Sequence, residues 1–478
     1  MHLGSARTAL YNYLLAKRTG GQFILRIEDT DANRFVEGSM DELMHGLRWL
    51  GLQWDEGVEV GGDYGPYQQT ERKEIYLKYA RQLVTEGHAY PCFCTKERLE
   101  RVRQEQIKRK ESLHYDGTCR ILTQIEVDQR ISQGDSYVIR FKTPKEGSIT
   151  VHDALRGDIV VENKNIDDYV LVKSDGWALY HLAAMVDDHL MKITHVIRGS
   201  EWLSTFPLHV HIIRAFGWQE PRWVHLSIFL KPSGKGKMSK RDSAEALDSG
   251  YSIFVTELEK LGYPPEGVLN WILLMGWGIA EGEFMTLPEM VEKFDIDHVN
   301  PSPAAIDFTK LDHFCGTHIR SLDETEIAHR IKPYFIKAGL TVDDSKLTRI
   351  IPLIRERMVT YTDALDFAAF FFKEDIQATP QDLVGKNLTV AESLHAAQRS
   401  YQVLASLEDL SPSVAEPPMR QLVEELGMKT GQVFGIIRSA VTGQTVSPPL
   451  FESMEIIGKE KVLERLQNAM EILKNTKS

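Results

Sequence analysis

Apolar residues near the start of the chain recur with the period of an α-helix. They occupy positions 6, 9, 10, 13 and 14, and therefore share one helical face. Ser5 precedes most of them as a predicted N-cap, because its hydroxyl can accept a hydrogen bond from a free N–H of the first turn. Lys17 and Arg18 suit the negative end of the helix dipole, and Gly20 and Gly21 are predicted to end the helix.

A short strand is predicted directly after this helix. Gln22–Ile27 is rich in apolar residues, and acidic residues follow it, including Glu28. His2 and Gly4 stand just ahead of the helix, where free N–H groups and the positive dipole end favour an anion. The first thirty residues are therefore expected to bring acidic side chains and an anion-binding helix start together.

Helical and strand-like patterns continue along the chain to about residue 240, and helices predominate after it. Helical periodicity covers an amphipathic segment that contains Leu43, Leu47 and Leu50 and ends at Gly51, and it covers 71–87 and 96–110, the last of which is strongly basic. Alternating strand-like segments separated by glycine turns cover 137–172. These patterns predict an α/β fold with a helical C-terminal part. Parallel sheets of α/β folds bind ligands at the carboxyl ends of their strands.

The composition of the chain is that of an ordinary globular protein. Its 478 residues are 42% hydrophobic and 26% charged, and they allow several domains. We find no apolar run of the roughly 18 residues that a membrane helix needs, and no signal or transit peptide. A net charge of −12 argues against indiscriminate nucleic-acid binding. Four cysteines predict a reduced, intracellular protein rather than a disulfide framework.

A lysine-rich segment, KPSGKGKMSKR, occupies residues 231–241. Its small residues allow the segment to fold over a polyphosphate, and its cations can neutralise charge that develops there. His2-Leu3-Gly4-Ser5 resembles the HIGH motif of class I aminoacyl-tRNA synthetases, and Lys237-Met238-Ser239-Lys240-Arg241 resembles their KMSKS motif. The strings ARTALYNYLLAKRTGGQFILRIEDTD and YHLAAMVDDHLMKITHVIRGSEWL resemble bacterial-type glutamyl-tRNA synthetases.

The resemblance implies a domain order. A Rossmann-like parallel-sheet catalytic core would occupy 1–72 and 179–236, interrupted by an inserted α/β domain for the tRNA acceptor stem at 73–178. A KMSKS loop and helical stem-contact region would follow at 237–320, and an all-α anticodon-binding domain at 321–478. Members of the family carry a strand and a Ser-Pro-Thr-Gly turn before the HIGH histidine, whereas this chain begins one residue before it. Without that segment we expect an unpaired sheet position.

The resemblance also implies an activity: ATP-dependent ligation of L-glutamate to tRNA(Glu) through a glutamyl-adenylate, with Mg²⁺. The implied catalytic residues are His2, Gly4, Lys237, Ser239 and Lys240, of which His2, Gly4 and Lys240 also bind ATP. The implied glutamate-binding residues are Glu28, Tyr180 and Arg198, while Ala184 replaces a usual asparagine. A monomer in the bacterial cytoplasm is expected, with mitochondria as the alternative. Rival functions are a non-catalytic tRNA-binding relative and a non-discriminating enzyme that also charges tRNA(Gln).

Three cysteines form a candidate zinc site. Cys92 and Cys94 are separated by one residue, and Cys119 follows 24 residues later, which leaves a tetrahedral site in need of one more ligand. Tyr115, by a Tyr-x-x-x-Cys arrangement seen in some relatives, or His114 would supply it. The alternative is three reduced cysteines without metal.

Two further groups of charged residues have competing interpretations. Asp187, Asp188 and His189 are typical of metal ligands, but a polar cluster at a helix end is the favoured interpretation, because no further ligand stands nearby at ligand spacing. Arg355 and Arg357 lie near the position where relatives read the third anticodon base, and Arg357 aligns best with discriminating enzymes. The competing interpretation is a pair of exposed helix arginines.

Overall fold

The structure is a computed structural model that describes residues 1–30, 38–238, 240–278, 282–376 and 378–476. These residues form two compact units. The first unit comprises Met1–Glu257 and Leu269–Phe308, and the second comprises Leu258–Val268 and Thr309–Ser478. Among the described residues, no helix combines the length and apolar character that a membrane crossing requires.

The first unit contains helices and strands. As far as residue 172 they are α1 (Leu3–Arg18), β1 (Ile24–Leu25), α2 (Ser39–Trp49), β2 (Glu56–Gly57), α3 (Lys73–Thr85), β3 (Ala89–Cys92), α4 (Lys96–Arg109), α5 (Gln124–Ser132), β4 (Val138–Phe141), β5 (Ser148–Asp153), β6 (Gly157–Glu162) and β7 (Val170–Val172). From residue 180 they are α6 (Tyr180–Leu190), β8 (His195–Gly199), α7 (Phe206–Ala215), β9 (Arg222–Leu226), β10 (Phe229–Leu230), α8 (Lys240–Asp248), α9 (Val255–Lys260), α10 (Pro265–Leu274), α11 (Leu287–Lys293) and β11 (Ala304–Ala305). Helices α9 and α10 each have residues in both units.

Helix α1 begins earlier than the sequence predicted. The N-cap is His2 rather than Ser5, because the His2 Nδ1 atom accepts a hydrogen bond from the Gly4 N–H at 3.0 Å. Ser5 instead lies exposed inside the helix. A histidine ring nitrogen satisfies a free N–H as a serine hydroxyl does, and residue preferences for caps do not rank it highly. The predicted end is confirmed, since α1 stops at Arg18 and Gly20 takes a φ of 68°.

A four-stranded sheet brings polar strand ends together. Its order is β6-β5-β9-β8, and β9 runs parallel to both β5 and β8. Asp153 at the end of β5 pairs with Trp223, and Arg198 of β8 pairs with His225 of β9. Since parallel strands end at the same edge, Asp153, Arg198 and His225 lie near one carboxyl edge of the sheet.

The predicted strand after α1 is present but short. Only Ile24–Leu25 forms a strand, which pairs in parallel with Glu56–Gly57. Ile27 then makes an isolated parallel bridge to Gln68. This pairing holds the backbone that leads to Glu28.

A second sheet carries the start of the cysteine cluster. It has the order β3-β4-β7 with both pairings antiparallel, and Cys92 is the last residue of β3. One apolar core of this part of the chain is formed by side chains of α3, α6 and α7 packed on the two sheets, with Leu182, Phe206 and Val210 fully buried. Ala184 is buried in the same core.

The second unit is helical beyond residue 308, as predicted. Its helices are α12 (Phe308–Ser321), α13 (Glu324–Lys337), α14 (Asp344–Ile354), α15 (Asp363–Ala368), α16 (Pro380–Leu383), α17 (Val390–Ser406), α18 (Pro412–Glu425), α19 (Thr430–Thr442), α20 (Leu450–Ile457) and α21 (Lys459–Asn475). Their apolar faces bury two cores, one around α13 and α14 and one around α17, α19 and α21. Capping boxes and side-chain caps start several of these helices, as at Thr389 of α17.

Candidate active site

A cleft of about 960 Å³ opens in the first unit. It lies between the start of α1, the segment after β1, the start of α6, the end of β8 and the lysine-rich segment after β10. The cleft is lined by six of the predicted site residues, namely His2, Gly4, Glu28, Tyr180, Arg198 and Lys237. The structure therefore brings together residues that are up to 235 positions apart in the sequence. Of the remaining predicted catalytic residues, Ser239 lies outside the described residues, as does the side chain of Lys240.

The helix start presents a nitrogen donor to the cleft. Because the His2 Nδ1 atom accepts from the Gly4 N–H, the neutral ring carries its proton on Nε2. Burial, the Lys237 cation and the chain's amino group all lower the pKa of His2, which keeps the ring neutral near pH 7. The ring also packs edge-on against Phe254 at a centroid distance of 5.6 Å. The His2 ring is therefore held with one N–H available to a ligand.

The lysine-rich segment begins with a loop whose two ends are held together by backbone hydrogen bonds. Leu230 makes an isolated antiparallel bridge to Lys237, and Lys231 donates its N–H to the Gly236 carbonyl at 3.0 Å. The Lys231 ammonium also pairs with Asp242 at 2.7 Å. Lys237 remains exposed at the cleft. The loop thus places an exposed cation beside a helix N-terminus, an arrangement that suits a polyphosphate.

Arg198 is a buried cation at the base of the cleft. Its side chain is only 7% exposed. The Nε atom donates to His225 Nε2 at 3.0 Å, and NH1 donates to His209 Nδ1 at 3.0 Å. Its second terminal nitrogen, NH2, is buried and meets no hydrogen-bond acceptor among the described residues. A buried guanidinium with a free N–H pair is a site for a carboxylate.

Tyr180 and Glu28 complete the charged lining next to Arg198. The Tyr180 ring stacks on Trp202 with centroids 4.2 Å apart. Burial and the neighbouring Glu28 carboxylate raise the pKa of Tyr180 to about 12, so its hydroxyl stays protonated. Glu28 pairs with Arg26 at 3.0 Å, and Arg26 in turn pairs with Asp188 at 2.9 Å. This chain of charges orients the Glu28 carboxylate, which is complementary to an ammonium group.

The sequence analysis missed four residues behind Arg198. Asp153, His181, His209 and His225 form a hydrogen-bonded chain with it, and Asp153, His209 and His225 are completely buried. Two of them carried a signal that was overlooked. Asp153 takes the inward-facing position that follows Ile149 and Val151 in the alternating pattern of β5, and His225 follows two apolar residues of β9. Both lie near the carboxyl ends of their strands, where parallel sheets bind ligands.

The three predicted cysteines converge beside the second sheet. The Sγ atoms of Cys92, Cys94 and Cys119 all lie within 4.8 Å of one another. The Tyr115 hydroxyl lies 3.4 Å from the sulfurs of Cys92 and Cys94, and accepts the Cys119 N–H at 2.8 Å. His114 instead bonds the Ser112 carbonyl with its ring. The structure therefore favours Tyr115 over His114 as the fourth donor.

This donor set fits a zinc ion. Tetrahedral zinc with sulfur at about 2.3 Å separates its sulfurs by about 3.8 Å, within the spread of the three thiols. The hydrogen bond from Cys119 lowers the pKa of Cys92 and raises the pKa of Cys119, so this pair favours one thiolate, at Cys92. Arg98 NH1 approaches Cys94 Sγ at 3.4 Å.

Comparison with known proteins assigns the chain to a family. The catalytic domain of class I tRNA synthetases (E and Q) matches residues 1–313, and an anticodon binding domain matches residues 326–470. A glutamate–tRNA ligase of Dehalococcoides mccartyi is 40% identical over 475 residues, which is 98% of this chain and 95% of that protein. The chain belongs to the class I glutamyl-tRNA synthetases.

Other members of this synthetase family are similarly close. A glutamate–tRNA ligase of a Roseiflexus species is 41% identical over 481 residues, covering 98% of this chain and 94% of that protein. The crystal structure of a glutamate tRNA ligase from Elizabethkingia meningosepticum in complex with its amino acid matches with a TM-score of 0.89 and 35% identity, covering 99% of this chain and 97% of that one. The predicted fold class, a class I parallel-sheet core followed by a helical anticodon-binding region, is confirmed.

In the synthetase's second unit, Arg357 ends a short 3₁₀ turn and is exposed. Its NH1 atom donates to the Ser447 carbonyl at 3.4 Å, and its guanidinium lies 4.4 Å from the centre of the Phe367 ring. Arg438 donates to the same carbonyl at 3.2 Å. Arg357 is therefore held by neighbouring residues while it remains exposed to solvent.

Proposed function

We propose that this chain joins L-glutamate to tRNA(Glu), using ATP, through an enzyme-bound glutamyl-adenylate. The observation that carries the proposal is the cleft itself. One wall offers a helix N-terminus with His2 and Lys237, which suits a triphosphate. The other offers the free NH2 of Arg198 and the carboxylate of Glu28, which suit an amino acid with an acidic side chain.

In the first step, an α-carboxylate oxygen of glutamate attacks the α-phosphorus of ATP. A new P–O bond forms, the bond to the β-phosphate breaks, and pyrophosphate leaves with its electron pair. The Nε2–H of His2 donates to a phosphate oxygen, while Gly4 leaves room for the nucleotide. Lys237 and Lys240 neutralise charge on the leaving pyrophosphate, and Ser239 adds a hydrogen bond. Mg²⁺ bound to the ATP phosphates lowers their charge repulsion.

Glutamate is recognised at both of its ends. The Glu28 carboxylate pairs with the α-ammonium group, and Arg26 holds Glu28 in place. Arg198 NH2 donates to the side-chain carboxylate, which supplies the acceptor that this nitrogen lacks in the structure. Tyr180 stays protonated beside Arg198, and its hydroxyl donates a hydrogen bond to the substrate. A neutral side chain of similar size would leave the buried guanidinium uncompensated.

In the second step, a ribose hydroxyl of the terminal adenosine of the tRNA attacks the activated carbonyl. The ester bond forms, and AMP leaves. Helix α4 supports this step, because five of its lysines and arginines, including Arg101 and Arg103, are exposed and can contact acceptor-stem phosphates. Arg357 contributes to reading the anticodon.

A zinc ion held by Cys92, Cys94, Cys119 and Tyr115 would cross-link the segments around β3 and α4. Its role would be structural, since four protein donors leave no open position for a reactant. The monomeric state and the cytoplasmic location stay predictions.

Glutamate-dependent ATP–pyrophosphate exchange tests the proposal, with and without tRNA(Glu). We expect exchange with glutamate and none with glutamine, and a requirement for tRNA. Arg198→Ala should raise the KM for glutamate by at least about tenfold, because it removes a charged hydrogen bond. Arg420→Ala is the control, since Arg420 is an exposed arginine of α18 that pairs with Glu416 and does not line the cleft. Tight tRNA binding without exchange would instead indicate a non-catalytic protein.

A further inference from the structure

We infer that Asp153, His225 and His209 are positioning residues that aim the Arg198 guanidinium at the glutamate side chain. This inference rests on the proposed role of Arg198 in glutamate binding. It concerns the hydrogen-bonded chain Asp153–His225–Arg198–His209–His181, which runs behind the cleft within the first unit.

The chain has one consistent arrangement of protons. A guanidinium only donates, so His225 Nε2 and His209 Nδ1 must both present lone pairs to Arg198. The His225 proton then lies on Nδ1 and is donated to Asp153 Oδ2 at 2.7 Å. The His209 proton lies on Nε2 and is donated to His181 Nδ1 at 2.9 Å. Each ring is therefore neutral and oriented by a partner on its far side.

Asp153 is the fixed end of this chain. Its Oδ2 atom accepts the His225 backbone N–H at 3.0 Å as well as the ring proton, and Oδ1 accepts the N–H groups of Leu155 and Arg156, each at 3.0 Å. The carboxylate is completely buried and ends strand β5. Asp153 is thus locked by backbone groups, and it selects one tautomer of His225.

Two fixed N–H bonds determine the orientation of a planar guanidinium. His225 holds Nε and His209 holds NH1, so NH2 is the nitrogen left for a ligand. Burial lowers the pKa of His209 and of His225, and lowers that of His181 to about 4, which favours the neutral rings that this arrangement requires. Arg198 consequently remains the one cation of the chain.

Paired substitutions distinguish positioning from simple packing. Asparagine places its side-chain oxygen near the histidine Nδ1 position, and glutamine places it near Nε2. Arg198 is met by Nε2 of His225 but by Nδ1 of His209. Glutamine should therefore substitute for His225, and asparagine should substitute for His209.

The experiment measures the KM for glutamate and for ATP in exchange assays with tRNA present. His225→Asn and His209→Gln should raise the glutamate KM about tenfold or more, as expected for a lost hydrogen bond to a charged group. His225→Gln and His209→Asn should stay within about threefold. The KM for ATP should change less than about twofold in all four variants. His211→Gln in the same helix as His209 is the matched control, because His211 bonds Asn163 outside this chain.

Asp153→Asn gives an independent test. An amide at this position donates to His225 Nδ1, which forces the ring proton onto Nε2. His225 Nε2 can then no longer accept the hydrogen bond from Arg198. The glutamate KM should rise about tenfold or more while the KM for ATP changes less than about twofold. The thermal midpoint should also fall, because the buried His225 backbone N–H loses its acceptor. Equal effects of the two substitutions at each histidine would overturn the inference. If Arg198→Ala leaves the glutamate KM unchanged, the proposed role of Arg198 in glutamate binding fails instead. If Arg198→Ala raises the glutamate KM but asparagine and glutamine have equal effects at each histidine, only the positioning role fails.

Discussion

Arg72 and Asp187 form an ion pair that is sealed from solvent, with Nε 2.7 Å from Oδ1. Their side chains are 2% and 0% exposed. Gln69 and Tyr76 donate to the other carboxylate oxygen at 3.0 and 2.8 Å. The pair joins the start of α3 to the end of α6, beside the cleft. These contacts engage both oxygens of the Asp187 carboxylate with protein donors, as expected of the polar cluster favoured for Asp187, Asp188 and His189.

Breaking this pair should destabilise the first unit strongly. Arg72→Met leaves Asp187 charged and buried, and we expect a loss of about 3–5 kcal/mol in unfolding free energy. Urea unfolding followed by tryptophan fluorescence measures it, because all eight tryptophans lie in this unit. Lys164→Met is the control: Lys164 and Glu162 pair at the surface, with 69% and 59% exposure, so less than about 1 kcal/mol should change. A similar small loss for Arg72→Met would contradict the prediction.

His2 should contribute to catalysis through Nε2 and to helix capping through Nδ1. His2→Asn keeps an acceptor for the Gly4 N–H but removes the donor to phosphate, so kcat for pyrophosphate exchange should fall about 100-fold with little change in thermal midpoint. His2→Gln places its amide near Nε2 and should recover part of kcat. Equal activity of the two variants would show that Nε2 does not act on the phosphates.

The thiol cluster should bind one zinc ion per chain. Purified protein analysed by atomic emission should contain about one equivalent of zinc, and Cys119→Ser should contain far less, because a neutral hydroxyl is a poor substitute for thiolate. Cys315→Ser is the matched control. Cys315 is buried in α12 of the second unit, apart from the cluster, and its loss should leave the zinc content unchanged. A metal-free wild-type protein would count against the site.

Acid should destabilise the first unit partly through His211. Burial and the nearby Arg214 lower the pKa of His211 to about 4, compared with 6.5 in the unfolded chain. Between pH 6.5 and pH 4 the unfolded state therefore binds a proton that the folded state does not. The contribution of neutral His211 to the unfolding free energy is complete above pH 6.5 and is lost as the pH falls towards 4. After allowance for partial exposure the loss is about 2 kcal/mol.

His211→Gln should remove this part of the pH dependence, because its amide can still donate to Asn163 but does not titrate. Unfolding free energies of the two proteins measured at pH 7 and pH 4.5 provide the comparison. If the unfolding free energies of the two proteins fall by the same amount between pH 7 and pH 4.5, His211 is not the titrating group.

Arg357 should influence tRNA choice. A guanidinium that contacts a base edge supplies about 1–3 kcal/mol of discrimination. Arg357→Gln should therefore reduce the kcat/KM ratio of tRNA(Glu) to tRNA(Gln) about tenfold, without changing the KM for glutamate. Arg420→Gln, which removes an exposed helix arginine paired with Glu416, is the control. An unchanged ratio would indicate that Arg357 only packs on Phe367.

The sequence by itself determined the elements and the members of the cleft wall. The period of α1, its glycine stop and the strands between 137 and 172 are local patterns, and local patterns are set by neighbouring residues. His2 and Lys237 could be assigned to one site because their motifs resemble a known family. Ser5 was the wrong cap because the capping group, a histidine ring, is rare among helix starts.

Only the tertiary structure decided how these residues are oriented. Asp153 and His225 are 72 positions apart and meet because β5 and β9 run parallel with a particular register. The choice of Tyr115 over His114 likewise depends on which side chain the turn before Cys119 directs at the thiols. Strand register and side-chain direction arise from packing between distant segments, and no local pattern in the sequence encodes them.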